Sequence, residues 1–108
     1  MTTYPRPYSK LADVLRISLA AYGVRLAEAQ SKSRHREIVD CRRVFAFVAR
    51  RRTTASFPQI GAAIGKRHST VFEGVQHVRA NLERYGVAVA KVEKGLEEGH
   101  STPSAARC

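Results

Sequence analysis

Cysteine is scarce: the 108 residues hold two, Cys41 and Cys108, 67 positions apart, one inside a helical pattern and one at the last position. Such a pair makes neither a disulfide framework nor a zinc site. Acidic residues are also few, 9 Asp+Glu against 19 Lys+Arg. No stretch approaches the ~18–20 consecutive apolar residues that a membrane span requires. The opening MTTYPRPYSK has no apolar core followed by a small-residue cleavage site, so no secretory signal is read there. No strand pattern and no internal repeat emerges either. The expectation is a soluble, intracellular, all-α protein located in the cytoplasm, with no membrane partner. Its length suits one domain with one core, large enough to bury roughly 60–70% of its unfolded surface without a covalent staple.

Catalytic and cofactor chemistry is equally thin. Gly61-Ala62-Ala63-Ile64-Gly65-Lys66-Arg67 looks at first like a phosphate-binding loop, but only three residues separate its glycines. That motif needs four, and Ser or Thr where Arg67 stands to ligate magnesium. Gly61 is better read as permitting close helix packing and Gly65 as capping a helix. His35, His68, His77 and His100 are scattered without metal-ligand spacing. Glu93, Glu97 and Glu98 fall on a mixed-charge helix face, not in a nucleophile–base–acid set. Cys41 lies on an apolar stripe and is read as a small core residue, not a reactive thiol. Phe45 and Phe72 are at core spacing. We therefore expect no enzyme activity, no cofactor, no metal and no small-molecule substrate.

What is present is positive charge, and it is concentrated. Residues 1–30 carry +2, residues 31–70 carry 10 basic and 2 acidic groups for +8, and residues 71–108 carry 5 of each. An even coat aids solubility, whereas a focused patch makes a local field that attracts polyanions. A merely solvated basic face is the plain alternative.

The chain divides by pattern. Residues 1–8, with two prolines, read as an extended basic arm. From Ser9 a helical spacing (Leu11, Val14, Leu15, Ile17, Ser18, Tyr22) runs to a stop at Gly23, and Val24 to Ala29 suit one short turn. SKSRHRE (31–37) is a basic connection. A helix over about Arg36–Arg52 presents Ile38, Cys41, Val44, Phe45 and Val48 on one stripe, with Arg42, Arg43, Arg50 and Arg51 off it. Ser56-Phe57-Pro58-Gln59 is a capping-box signature opening a short helix that stops at Gly65. After a turn at Lys66-Arg67, Val71, Val75, Val78 and Leu82 mark a long helix over 69–85 ending at Gly86. A short helix, a tight glycine turn and a second helix make a helix-turn-helix within a domain over 9–86. Residues 87–98 suit one more helix, with Val89, Val92 and Leu96 inward, and 99–108 a disordered tail.

Lys66, Arg67, His68, Ser69 and Thr70 all carry hydrogen-bond donors and crowd the start of that second helix. Free backbone N–H groups and the positive dipole end add attraction for a phosphate. Arg suits guanine, and Ser and Thr suit several base edges of the major groove. Capping by Ser69 or Thr70 would explain one of the five and leave Lys66, Arg67 and His68 without a reason.

SKSRHREIVDCRRVFAFVAR followed by SFPQIGAAIGKRHSTVFEGVQHV resembles the C-terminal DNA-binding domain (domain IV) of the bacterial chromosomal replication initiator DnaA, from about Leu11 to Arg84. The resemblance implies an all-α bundle, of the initiator C-terminal or Trp-repressor-like kind, that binds a short element of double-stranded DNA. It implies a minor-groove role for Arg34, phosphate contacts at Lys32, Arg42 and Arg43, contacts around the turn at Phe57 and Pro58, and major-groove readers at His68, Ser69 and Thr70. Arg67 joins the major-groove set, and Arg36, Arg50, Arg51 and Lys66 join the phosphate set by their charge. The sequence departs from the family where Arg67 replaces an aspartate, where Asp40 and Cys41 replace a basic residue and a proline, where Arg43 replaces a glutamine, and in a turn one residue shorter. The chain is too short to include the initiator's ATPase region, so a free-standing, nucleoid-associated module acting in replication initiation or its regulation is expected. Two other readings stay open: a phage- or mobile-element-encoded transcriptional regulator on an unrelated operator, and a module that engages replication proteins through the charge-balanced 71–108 half.

Overall fold

The computed structural model describes residues 9–101. They form six helices, with no strand among the described residues: α1 (Leu11–Tyr22), α2 (Leu26–Gln30), α3 (Arg36–Arg52), α4 (Phe57–Ala63), α5 (His68–Ala80) and α6 (Leu82–Ser101). The arm expected over 1–8 and the end of the expected tail, 102–108, lie outside the described residues.

α3 is the axle of the bundle and packs against all five other helices. Its expected stripe, Ile38, Cys41, Val44, Phe45 and Val48, is buried, and so are Ala46, Phe47 and Ala49. A helix surrounded by neighbours has no solvent side in its middle, so the 44–49 segment is apolar all round. Burial pushes the Cys41 thiol up to about 12, and its Sγ lies 3.5 Å from the Ser18 carbonyl oxygen, as suits a core residue. Gly23, at φ 65°, ends α1. Its N–H and that of Val24 donate to the Ala20 and Leu19 carbonyls, which closes the helix end.

The helix-turn-helix follows the expected chemistry. Ser56 Oγ accepts from the Gln59 N–H at 3.2 Å while the Ser56 N–H donates to Gln59 Oε1 at 2.8 Å. Gly65 turns the chain at φ 65°, and the Lys66 N–H donates to the Gly61 carbonyl at 2.8 Å. The close neighbour of Gly61 is the turn itself: a Cβ there would collide with the Lys66 carbonyl oxygen. Gly61→Ala is therefore expected to destabilise the domain by about 1–3 kcal/mol, because backbone has to move to admit the methyl. Urea melting checks this, and a variant as stable as wild type would show that the turn gives way freely.

The long helix expected over 69–85 is two helices. Asn81, at φ −130° and ψ 44°, leaves the helical region after Ala80. Its side-chain amide donates to the His77 carbonyl at 2.8 Å, and its own carbonyl accepts from Arg84 and Tyr85 to start α6. The change of direction leaves Leu82, read as core, 48% exposed and buries Tyr85 to 1%. Gly86 and the expected boundary after it lie inside α6, which also runs past residue 98 to Ser101. Among the described residues no helix is long and apolar enough to cross a membrane.

Candidate nucleic-acid interface

The interface is assembled from two segments far apart in sequence, the 31–35 connection and the turn into α5. Arg42, on α3, holds the first. Its Nε donates to the Ala29 carbonyl at 2.7 Å, one terminal nitrogen to Ser33 at 2.8 Å, and the other to Ser31 at 2.6 Å and Glu28 at 3.2 Å. Two of these oxygens belong to the last turn of α2, where carbonyls lack helical partners. The guanidinium thus caps α2 and pins the connection that follows. Lys66 Nζ donates to the same Ser31 carbonyl at 2.6 Å, and Gln30 Nε2 to Ala63 at 3.1 Å. These two bonds tie the end of α2 and the basic connection after it to the helix-turn-helix.

The result is a groove of about 660 Å³ lined by Lys32, Arg34, Arg42, Arg43, Lys66 and Thr70, among others. Burial, and then the charges of Arg42, Lys32 and Arg34, push the Lys66 amine below the ordinary lysine value. Like charges this close repel, and an anion settling among them would relieve the repulsion.

Arg67 is the N-cap of α5 and makes no side-chain capping bond. Neither Ser69 nor Thr70 occupies the capping position, so the first-turn N–H groups stay available for an outside acceptor. Arg67, His68, Ser69 and Thr70 are all exposed, as are Lys32, Arg34 and Arg36. Arg50 and Arg51 lie on the other flank of α5, near Phe57 and Phe72. The Arg50 guanidinium sits 4.4 Å from the Phe57 ring centroid, which limits its reach, and Arg51 Nε lies 3.5 Å from Glu93. Pro58 is exposed and Phe57 half-buried. Phe72, read as core, is 46% exposed and meets Phe57 edge to face at 5.6 Å. Core spacing misreads it because it stands on the flank of α5 where the packing ends.

The departures at Asp40 and Arg43 have an internal use. Arg84 donates to both Asp40 oxygens, at 3.2 and 3.0 Å, and the Tyr85 hydroxyl to one of them at 3.0 Å. Arg43 reaches the Tyr85 hydroxyl at 3.3 Å. This network fastens α6 to α3, on residues that charge alone would assign to DNA or to solvent.

A short helix capped by Ser56, a glycine turn and an exposed donor-rich second helix beside a basic groove define a helix-turn-helix DNA-binding domain. The family model of the bacterial dnaA protein helix-turn-helix matches residues 11–78, and the chain belongs to that family. It is 35% identical over 71 residues to the chromosomal replication initiator protein DnaA of Oleidesulfovibrio alaskensis, covering 66% of this chain and 14% of that protein. It is 32% identical over 98 residues to that of Deinococcus deserti, 85% of this chain and 22% of that protein. To that of Methylobacillus flagellatus it is 38% identical over 63 residues, 58% and 13% of the two chains. The chain thus spans a small fraction of the relatives it matches.

Proposed function

We propose that this protein binds duplex DNA sequence-specifically at a short element like the one its family reads, in the nucleoid, and acts in replication initiation or its regulation. α5 enters the major groove by its first turn, where His68, Ser69, Thr70 and Arg67 meet base edges. Arg34 reaches the adjacent minor groove, and Lys32, Arg36, Arg43, Arg50 and Arg51 meet phosphates, which position without specifying. Phe57 and Pro58 approach the backbone at the turn. Arg42 and Lys66 contribute differently from a simple phosphate contact. Both hold the 31–35 connection, and their charge reaches DNA through the field of the groove.

One observation carries this reading: the Lys66–Ser31 bond joins the basic connection to the turn before α5, and the Gln30–Ala63 bond joins the end of α2 to the end of α4 beside it. Two elements locked together span neighbouring grooves of one duplex at a lower ordering cost than two independent basic segments. Selection of bound sequences from a random duplex pool tests it. A consensus like the initiator's element supports the replication role, and an unrelated consensus supports a transcriptional regulator instead. Absence of any consensus would leave only an electrostatic binder. Thr70→Ala is expected to flatten the preference at one base position, worth about 1–3 kcal/mol of discrimination, with non-specific affinity nearly intact. Unchanged discrimination would remove Thr70 from the readers.

A further inference from the structure

α5 has one acidic side chain, Glu73, and it lines the same groove as Lys32, Arg34, Lys66 and Thr70. Asp13, Glu28, Asp40, Glu93 and Glu97 each stand within 3.6 Å of an arginine nitrogen, and Glu37 and Glu83, which have no such partner among the described residues, do not line this groove. The Glu73 carboxylate is exposed and makes no ion pair or hydrogen bond with any described residue. In a groove suited to a polyanion, an unpaired carboxylate repels every phosphate alike and weakens binding. At a base edge the same group has a use. Cytosine presents an N4 amino donor in the major groove, and a carboxylate accepts from it. Helical spacing sets Glu73 one turn beyond Ser69 on the same face, about 6 Å farther along the axis.

We propose that Glu73 is a specificity-determining residue that accepts a hydrogen bond from the N4 amino group of a cytosine, one or two base pairs from the base met by Ser69 or Thr70. The inference rests on the reading that α5 lies in the major groove. Discrimination then has two parts, donors at the helix start and one acceptor a turn later. The acceptor penalises adenine or guanine less by shape than by facing their N7 with a negative charge. The surrounding cations offset its repulsion of the backbone.

The test is selection from a random duplex pool with the full chain as wild type, Glu73→Gln and Glu73→Ala. The substitutions are at an exposed position, and thermal melting checks that all three are folded. Wild type is expected to favour cytosine at one position by about 5- to 100-fold. Glu73→Ala should flatten that position alone, and Glu73→Gln should move its preference toward adenine, whose N6 and N7 match an amide. Both variants should bind non-specific duplex somewhat more tightly, because each removes a negative charge. One consensus shared by all three proteins, with only a uniform gain in affinity, would overturn the proposal while leaving the DNA-binding reading intact. A wild type that selects no consensus would overturn that reading and this inference together.

Discussion

Arg42→Ala should lower the stability of the fold by about 3 kcal/mol and weaken binding to every DNA sequence alike. The guanidinium donates to four carbonyls, of Glu28, Ala29, Ser31 and Ser33. Hydrogen bonds to a charged group are worth about 1.5–3 kcal/mol each, and a partly exposed, shared set falls well below the sum. α2 has only five residues, too few to persist without tertiary support. Losing the cation at its C-terminal end frees the last turn and releases the 31–35 connection with it. Lys32 and Arg34 would then approach DNA from a loose tether, which lowers affinity without altering base preference. Arg42→Lys should rescue only part of the loss, because an ammonium has three donors and no planar fork. Arg43→Ala, whose one bond is to the Tyr85 hydroxyl, should weaken binding with a smaller effect on melting. Urea unfolding of the three variants separates them. An Arg42→Ala protein within about 0.5 kcal/mol of wild type, the range of an ordinary surface substitution, would make Arg42 a surface charge after all.

The contrast between these neighbouring arginines shows where sequence reasoning succeeds and where it stops. Local signals were decisive: Gly23 and Gly65 at positive φ, the Ser56–Gln59 box and the apolar period of α3 gave element bounds that the structure repeats. Each depends on residues within a turn of one another. Asn81 is the local exception. It closes α5 and opens α6 with its own amide and carbonyl, but asparagine is a weaker stop signal than the glycine at 86. The 4-3-4 spacing therefore carried the helix past its real end and placed Leu82, not Tyr85, inside. What the sequence withheld is tertiary. Arg42 and Arg43 read alike by charge and by their place off the stripe, yet one guanidinium turns into backbone carbonyls of α2. Nor does any pattern join Ser31 to Lys66, 35 positions apart. The family resemblance supplied the roles proposed for the basic connection and for the turn. The structure adds the bonds that hold the two together, and the acid set among them.

The salt dependence of binding should be steep. The side chains proposed to meet phosphates are Lys32, Arg36, Arg43, Arg50 and Arg51, Arg34 and Arg67 add positive charge within the grooves, and charge in the sequence peaks at +8 over residues 31–70. Each neutralised phosphate releases condensed counterions, so neutralising about six of them gives a slope of log K against log salt near −5. Raising salt from ~50 to ~200 mM should then cost roughly a thousandfold in affinity. Alanine at Lys32 or Arg36 should make the slope shallower by about 1 each, because every such variant neutralises one phosphate fewer. Arg42→Ala should change affinity more than slope, because its guanidinium is turned toward carbonyls and its effect travels through the connection it holds. Fluorescence anisotropy with one duplex across a salt series measures both quantities for every variant. A wild-type slope shallower than about −2 would mean that the basic cluster is not a DNA footprint. A slope for Arg42→Ala reduced as far as for Arg36→Ala would mean that Arg42 leaves its carbonyls and meets a phosphate in the complex.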